Sequence, residues 1–129
     1  TTLIANNQCY ELLYNNANNR IYLTIKGFWK NRSKAPEFIP DLRKALNLTQ
    51  KDFTFLADLR TMITHPQSVV SLHVEGYVLL KEAGLKKGAN VEPDDRIATL
   101  QIEDTISQSE ISLKRFTSYT AAEEWLNAK

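Results

Sequence analysis

The sequence predicts a single α/β domain with a mostly parallel sheet, and three observations support this prediction. Strand-like and helix-like segments alternate along the 129 residues, which is the order expected of parallel strands joined by helices. Residues 53–60 carry apolar side chains on both faces, which is typical of a central strand covered on two sides. A long amphipathic segment follows that strand directly. The length fits one domain, spanning residues 1–129, that buries its own core.

The chain starts with two strand-like segments. Residues 8–14 and 19–28 are rich in alternating apolar side chains, and the sequence NNANN at residues 15–19 separates them. Asparagine tolerates a positive φ, so these segments are predicted to form a hairpin at one side of the sheet.

A basic patch and a helix come next. The patch surrounds Phe28 and Trp29, and its charged members are Lys26, Lys30, Arg32 and Lys34. It could meet an anionic head group or an acidic patch on a partner, but we expect both aromatic rings to pack while the charges stay solvated. The helix is predicted to begin at Ser33 or Pro36. Its apolar stripe consists of Phe38, Ile39, Leu42, Ala45 and Leu46.

The central strand leads into the longest predicted helix. Pro66 ends the strand, and Ser68 is a suitable N-cap for the helix. Gly76 lies within the apolar stripe, where a missing side chain would let the helix approach the sheet. Gly84 or Gly88 is predicted to end it. The stripe recurs at intervals of three and four residues: Val69, Leu72, Gly76, Leu79 and Ala83.

The last third of the chain predicts two more strands and a final helix. Residues 90–95 are read as a polar loop, residues 96–102 as a strand, and the segment through Glu110 as a short turn or helical piece. Residues 111–116 are the last predicted strand. Ser118 then caps a helix that docks through Ala122, Trp125 and Leu126.

Composition excludes several functional classes. Sixteen basic residues against fifteen acidic ones leave no global field that would attract nucleic acid. The single cysteine, Cys9, fits a reducing compartment, and no apolar run approaches the length of a membrane span. We therefore expect a cytoplasmic protein without integral membrane association.

Two segments carry a resemblance to a known family. The strand FTFLADLR at residues 53–60, with its turn and long helix, and the ending RFTSYTAAEEWL at residues 115–126 resemble the SpoIIAA-like branch of the bacterial STAS superfamily. The resemblance implies a four- or five-stranded, mostly parallel or mixed sheet with an N-terminal hairpin, packed by about four helices. It also implies no catalytic activity, because related domains act as anti-sigma factor antagonists, as regulatory domains, or as binders of lipid or other small ligands.

One motif departs from the family pattern. The phosphorylated antagonists carry Asp-Ser-Ser-Gly at the start of the helix after the central strand, whereas this chain has HPQS at residues 65–68. Ser68 is the nearest candidate phosphosite, but the flanking Asp and Gly are missing.

The candidate site follows from the position of ligands in open α/β sheets, which bind beyond the carboxyl ends of parallel strands. A helix N-terminus at that edge would offer free amides to a phosphate or carboxylate. The plainer alternative is that Asp58 pairs with Arg60 and that Ser68 only caps its helix. The predicted contact residues are Asp58, Arg60, Thr64, His65, Gln67 and Ser68, with Glu103 and Asp104 as further candidates.

Metal and nucleophilic chemistry have little support. His65 and His73 lie eight residues apart without further ligands at suitable spacing, so we expect no metal site and no cofactor. Neither Cys9 nor Ser68 has a recognisable base beside it, and the sequence contains no phosphate-cradling glycine motif.

The sequence thus favours a non-enzymatic regulatory or binding module that acts by protein–protein contact or ligand sensing. The alternatives are a carrier of a small molecule or lipid, with an apolar cavity between the long helix and the sheet, and a phospho-switch at Ser68. The expected partner is a regulatory protein or a small apolar or anionic ligand, not nucleic acid, and a homodimer is compatible with the fold.

Overall fold

The computed structural model describes residues 1–128, which form one mixed sheet with helices on both faces. The strands are β1 (Thr2–Asn6), β2 (Tyr10–Asn15), β3 (Arg20–Ile25), β4 (Thr54–Asp58), β5 (Lys87–Val91) and β6 (Lys114–Phe116). The helices are α1 (Phe38–Leu48), α2 (Gln67–Glu82), α3 (Arg96–Ser109) and α4 (Tyr119–Asn127). The spatial order of the strands equals their order in the chain. The pairs β1–β2 and β2–β3 are antiparallel, and β3 to β6 run parallel.

The predicted hairpin is confirmed as β2 and β3. Asn19 closes its turn with φ of 51°, the left-handed conformation that asparagine tolerates. The sheet nevertheless has six strands, more than the four or five expected, because β1 adds an outer strand along β2. The basic patch leads, through a 3-10 turn at Arg32–Lys34, into α1, whose buried stripe includes the predicted Phe38, Leu42 and Ala45.

The two faces of the sheet are covered unequally. Helices α1, α2 and α3 bury the larger core against one face, which carries Leu12, Ile21 and Phe55 among others. Helix α4 alone covers part of the other face, where Leu56 and Val91 pack against Ala122 and Leu126. β4 is buried on both faces, as its apolar pattern predicted.

Helix α2 matches its predicted span but packs differently. Its buried stripe continues through His73, Tyr77 and Leu80 rather than through Leu79 and Ala83. A Cβ on Gly76 would lie 3.3 Å from the ring of Phe38. The missing side chain of Gly76 therefore permits close packing against α1, not against the sheet.

The prediction for residues 87–110 is wrong in two places. Residues 96–102, predicted as a strand, form the first half of α3. The preceding strand is β5, which occupies Lys87–Val91, a segment read partly as loop. Gly84, with φ of 91°, follows the end of α2, so Gly88 is free to lie within β5.

The last strand and the last helix follow in the predicted order. The last strand is shorter than residues 111–116, since only Lys114–Phe116 pair with β5. Ser118 caps α4, its Oγ accepting a hydrogen bond from the amide of Ala121 at 3.2 Å. Arg20 of β3, only 2% exposed, ties this helix to the sheet through a 2.5 Å ion pair with Glu123.

Candidate functional site

The carboxyl ends of β3, β4 and β5 meet at one edge of the sheet, as the parallel order requires. The segments leaving these strands are hydrogen-bonded to one another. The amide of Ile63 donates to the carbonyl of Gly27 at 3.3 Å. The amide of Asp94 donates to the carbonyl of Arg60, also at 3.3 Å. The edge is therefore one connected surface built from three loops.

Asp58 and Arg60 form an ion pair at the centre of this edge. The guanidinium of Arg60 donates to both carboxylate oxygens of Asp58, at 2.9 and 2.8 Å. Partial burial favours a raised pKa for Asp58, but the hydrogen bonds and charge of Arg60 outweigh burial, and the pKa lies below its usual value. Arg60 also lies 5.5 Å from the ring centre of Tyr119. The plainer prediction, that Asp58 pairs with Arg60, is confirmed.

His65 does not line the surface, although the sequence placed it among the contact residues. It is 2% exposed. Its Nε2 lies 2.9 Å from the carbonyl oxygen of Gly27 and its Nδ1 lies 3.1 Å from Nε2 of His73. The side-chain amide of Gln101 in α3 holds the backbone of His65 from both sides, at 2.8 and 2.6 Å. His65 thus fixes the loop between β4 and α2 from within.

His73 is buried with His65 in an aromatic cluster. The two imidazole rings stack at 5.3 Å, and Trp29 lies 5.3 Å from His65 and 4.9 Å from His73. Burial, with a smaller contribution from His65, lowers the pKa of His73 to about 3. Burial also lowers the pKa of His65, and its hydrogen bond to Gly27 only partly opposes this. Both imidazoles are neutral near pH 7 and therefore act as packing groups there.

The remaining predicted residues fall into two groups. Thr64 is half-buried, whereas Gln67 and Ser68 are exposed at the start of α2. The N-cap of that helix is Pro66 and no side chain caps it, so the prediction that Ser68 is the N-cap is wrong. Glu103 and Asp104 lie within α3, where Glu103 pairs with Arg115 and Asp104 accepts from Gln108, because the segment before them is helix rather than strand.

Sequence reasoning missed the apolar part of this edge. Six large apolar side chains are exposed among the described residues, and four of them lie in segments that follow β3, β4 and β5. They are Phe28 (53% exposed), Ile63 (45%), Ile97 (65%) and Leu100 (57%). We call these four residues with Asp58 and Arg60 the carboxyl-edge surface. An isoleucine within the polar loop TMITHP was the available signal for it.

The two aromatic residues of the basic patch differ in burial. Trp29 is fully buried, and its indole N–H donates to the carbonyl of Cys9 at 2.9 Å. Phe28, also predicted to pack, points outward beside Lys30 and Lys34. Burial raises the pKa of the Cys9 thiol, and the charge of Lys34 only partly opposes this, so Cys9 has little of the thiolate character of a nucleophile.

The space between α2 and the sheet is small. A cavity of about 20 Å³ lies among apolar side chains, with His73 and Tyr77 at its border. One water molecule needs roughly 10–15 Å³ measured in this way. A lipid chain does not fit into this cavity, so the carrier hypothesis finds no site between α2 and the sheet.

Clusters of metal ligands and membrane-spanning helices are absent from the part of the chain described. Within residues 1–128, no three His, Cys, Asp or Glu side chains come together as metal ligands would. Over the same residues, none of the helices combines the length and the apolar character that crossing a membrane requires.

Comparison with known proteins supports the fold. The sequence matches no protein-family model and no curated protein. The structure is similar to that of an uncharacterised protein of the DUF3478 family from Shewanella loihica PV-4, which is described as having a SpoIIAA-like fold. The two share 12% identity at a TM-score of 0.63, with 95% of this chain and 97% of the other covered. At this low identity the similarity shows a shared fold and nothing further. The chain has the SpoIIAA-like α/β fold that its sequence predicted.

Proposed function

We propose that this chain is a non-enzymatic regulatory module that binds a protein partner through the carboxyl-edge surface. The observation that carries the proposal is the position of Phe28, Ile63, Ile97 and Leu100, four of the six large apolar side chains that are exposed within residues 1–128. Exposed apolar groups gathered at one place mark contact sites more often than scattered ones do.

The polar groups of the edge suit the same role. In sequence, Asp58 and Arg60 lie between Phe28 and the other three apolar residues of the surface. The side chain of Arg60 remains 48% exposed although it forms an ion pair with Asp58. Arginine beside exposed aromatic and aliphatic groups is a frequent composition of the energetic centre of an interface. The neutral, inward-facing histidines support a binding role over acid–base catalysis, because neither offers a titrating group to a substrate at the edge.

The test compares two double variants matched in chemistry and exposure. Ile63→Gln/Leu100→Gln alters the carboxyl-edge surface, whereas Leu3→Gln/Leu48→Gln alters side chains that are 57% and 43% exposed elsewhere. Partners are isolated from the source cells with the immobilised wild-type chain, and each is then purified for calorimetry. We expect the first variant to raise Kd at least about tenfold and the second to change it less than about twofold.

Circular dichroism and thermal unfolding establish that both variants are folded. Equal Kd values for both double variants, or a loss confined to Leu3→Gln/Leu48→Gln, would show that the partner binds another surface. The phosphosite at Ser68 stays a prediction; the exposure of Ser68 in the first turn of α2 is compatible with it.

A further inference from the structure

A second feature lies at the opposite end of the sheet, beside the amino ends of β5 and β6. A groove of about 560 Å³ is formed there by the end of α2, residues 85–88, residues 110–114 and Trp125 of α4. Sites for small molecules typically measure roughly 300–1,000 Å³. The groove therefore has the size of a ligand site, and it is separate from the carboxyl-edge surface.

The groove is strongly basic although the chain as a whole is not. Its lining includes four lysines and one carboxylate, Glu110, in a chain whose formal net charge is +1. The lysines come from three parts of the chain, with Lys86 and Lys87 adjacent in sequence, and Lys114 joins the others only in the folded protein. They are Lys81 in α2, Lys86 before β5, Lys87 in β5 and Lys114 in β6.

Two of these lysines bond to neighbouring groups, and the other two have no carboxylate partner among the described residues. Lys87 donates to the carbonyls of Trp125 at 3.1 Å and of Ala128 at 2.9 Å, and Lys81 lies 3.7 Å from Glu110. Lys86 and Lys114 form no ion pair with a carboxylate of residues 1–128. Within the described part of the chain no carboxylate neutralises these two charges, and both side chains line the groove.

The ring of Trp125 lines the groove beside two of the lysines. The ammonium of Lys87 lies 4.8 Å from its ring centre and that of Lys114 lies 5.3 Å from it. The backbone of Lys86 is fixed as well, since its amide donates to the carbonyl of Phe53 at 2.9 Å. The charges thus surround a preformed aromatic and apolar floor that includes Leu85 and Leu113.

The lining offers separate point charges rather than a planar fork. No arginine is among the described residues that line the groove, so the groove lacks the group that binds a carboxylate or a phosphate through two parallel hydrogen bonds. Lysine binds phosphate as a compact point charge. We propose that this groove binds a small soluble molecule that carries phosphate groups, with Lys86 and Lys114 as the principal anion contacts and Trp125 beside them.

Inorganic triphosphate is the probe for this site. Calorimetry measures its Kd, and tryptophan fluorescence locates it, because Trp29 is fully buried and Trp125 borders the groove. We expect saturable binding with a fluorescence change that Trp125→Phe abolishes. The variant Lys86→Gln/Lys114→Gln should raise Kd about tenfold or more.

The matched control removes the same charge elsewhere. Arg43→Gln/Lys44→Gln changes two exposed residues of α1, and it should leave Kd within about twofold of the wild-type value. Absence of saturable binding at millimolar triphosphate, or an equal loss in both double variants, overturns the proposal. Binding to phosphatidylcholine vesicles that contain phosphatidic acid, without binding of triphosphate, also overturns it, since the ligand would then be a membrane head group.

Discussion

The contact between His65 and His73 shows how hydrogen bonds fix the state of two buried residues. The carbonyl oxygen of Gly27 can only accept a hydrogen bond, so Nε2 of His65 carries the hydrogen, and in the neutral imidazole its Nδ1 is left as an acceptor. Nε2 of His73, 3.1 Å away, must then be the donor. Each imidazole is neutral in this arrangement, and a second proton on Nδ1 of His65 would meet the N–H of His73 unless His73 changed its tautomer.

This arrangement predicts a loss of stability in weak acid. The pKa of His73 is about 3 in the folded chain and about 6.5 when unfolded. Between these values the unfolded state binds more protons, so the free energy of unfolding falls as the pH falls below about 6.5. From pH 7 to pH 5 one such histidine contributes a loss of about 2 kcal/mol.

Urea unfolding at pH 7, 6 and 5 measures this loss. The variant His73→Gln keeps a side-chain N–H that can donate to His65 but cannot titrate, so the wild-type chain should lose about 2 kcal/mol more than the variant. Parallel losses in the two proteins would show that His73 does not remain neutral in the folded state. Contributions from carboxylates are common to both proteins and cancel in the comparison.

The residue scale also shows where sequence reasoning ends. The pairing of Asp58 with Arg60 was predictable because the two residues are close in sequence and lie at a strand end. The burial of His65 was not, because its position depends on Gln101 and His73, which reach it from other elements. Residue type placed His65 at the correct edge but could not show which way it points.

At the scale of elements, the local sequence pattern failed to predict α3 and β5. Exposed Ile97 and Leu100 made residues 96–102 resemble a strand, whereas the buried stripe is Ala98, Ile102, Thr105 and Ser109, at intervals of four, three and four. The side chain of Asp95 caps this helix by accepting from two amides, at 2.8 and 3.1 Å. β5 contains glycine and asparagine, so no apolar run revealed it.

Helix α4 depends on one buried charge. Arg20 is 2% exposed and contacts Thr54, Glu123 and Asn127. Removal of the Glu123 carboxylate leaves the guanidinium buried without its counter-charge, which is a costly change in a folded protein. Because Glu123 itself is 26% exposed and water can reach part of the site, we expect Glu123→Ala to cost about 2–3 kcal/mol.

Glu124→Ala is the matched control, since Glu124 is the next residue of the same helix and is exposed. It should change the free energy of urea unfolding by less than about 0.5 kcal/mol. Similar values for the two variants would contradict a docking role for the pair. A shift of Trp125 fluorescence in Glu123→Ala before global unfolding would show that α4 detaches first, because Trp125 lies in that helix.

At the scale of the whole molecule, the two ends of the sheet differ in chemistry. The carboxyl ends of the strands carry exposed apolar groups around one ion pair, whereas the amino ends of β5 and β6 carry converging lysines. The sequence predicted the first end through the general geometry of α/β sheets. It could not predict the second, because the correct strand, β5, is needed before Lys86, Lys87 and Lys114 are seen to be neighbours.

The small cavity between the helices and the sheet gives a prediction for the intact chain. A cavity of about 20 Å³ holds about one water molecule, so we expect freshly purified protein to show no co-purified apolar ligand in native mass spectrometry. An added mass is interpreted with the variant Lys86→Gln/Lys114→Gln. If that variant loses the added mass, the ligand occupies the basic groove, and the conclusion that the core holds no apolar ligand is unchanged. If the variant retains it and organic extraction yields a lipid, α2 must be able to separate from the sheet, and the carrier hypothesis would displace the binding module proposed above.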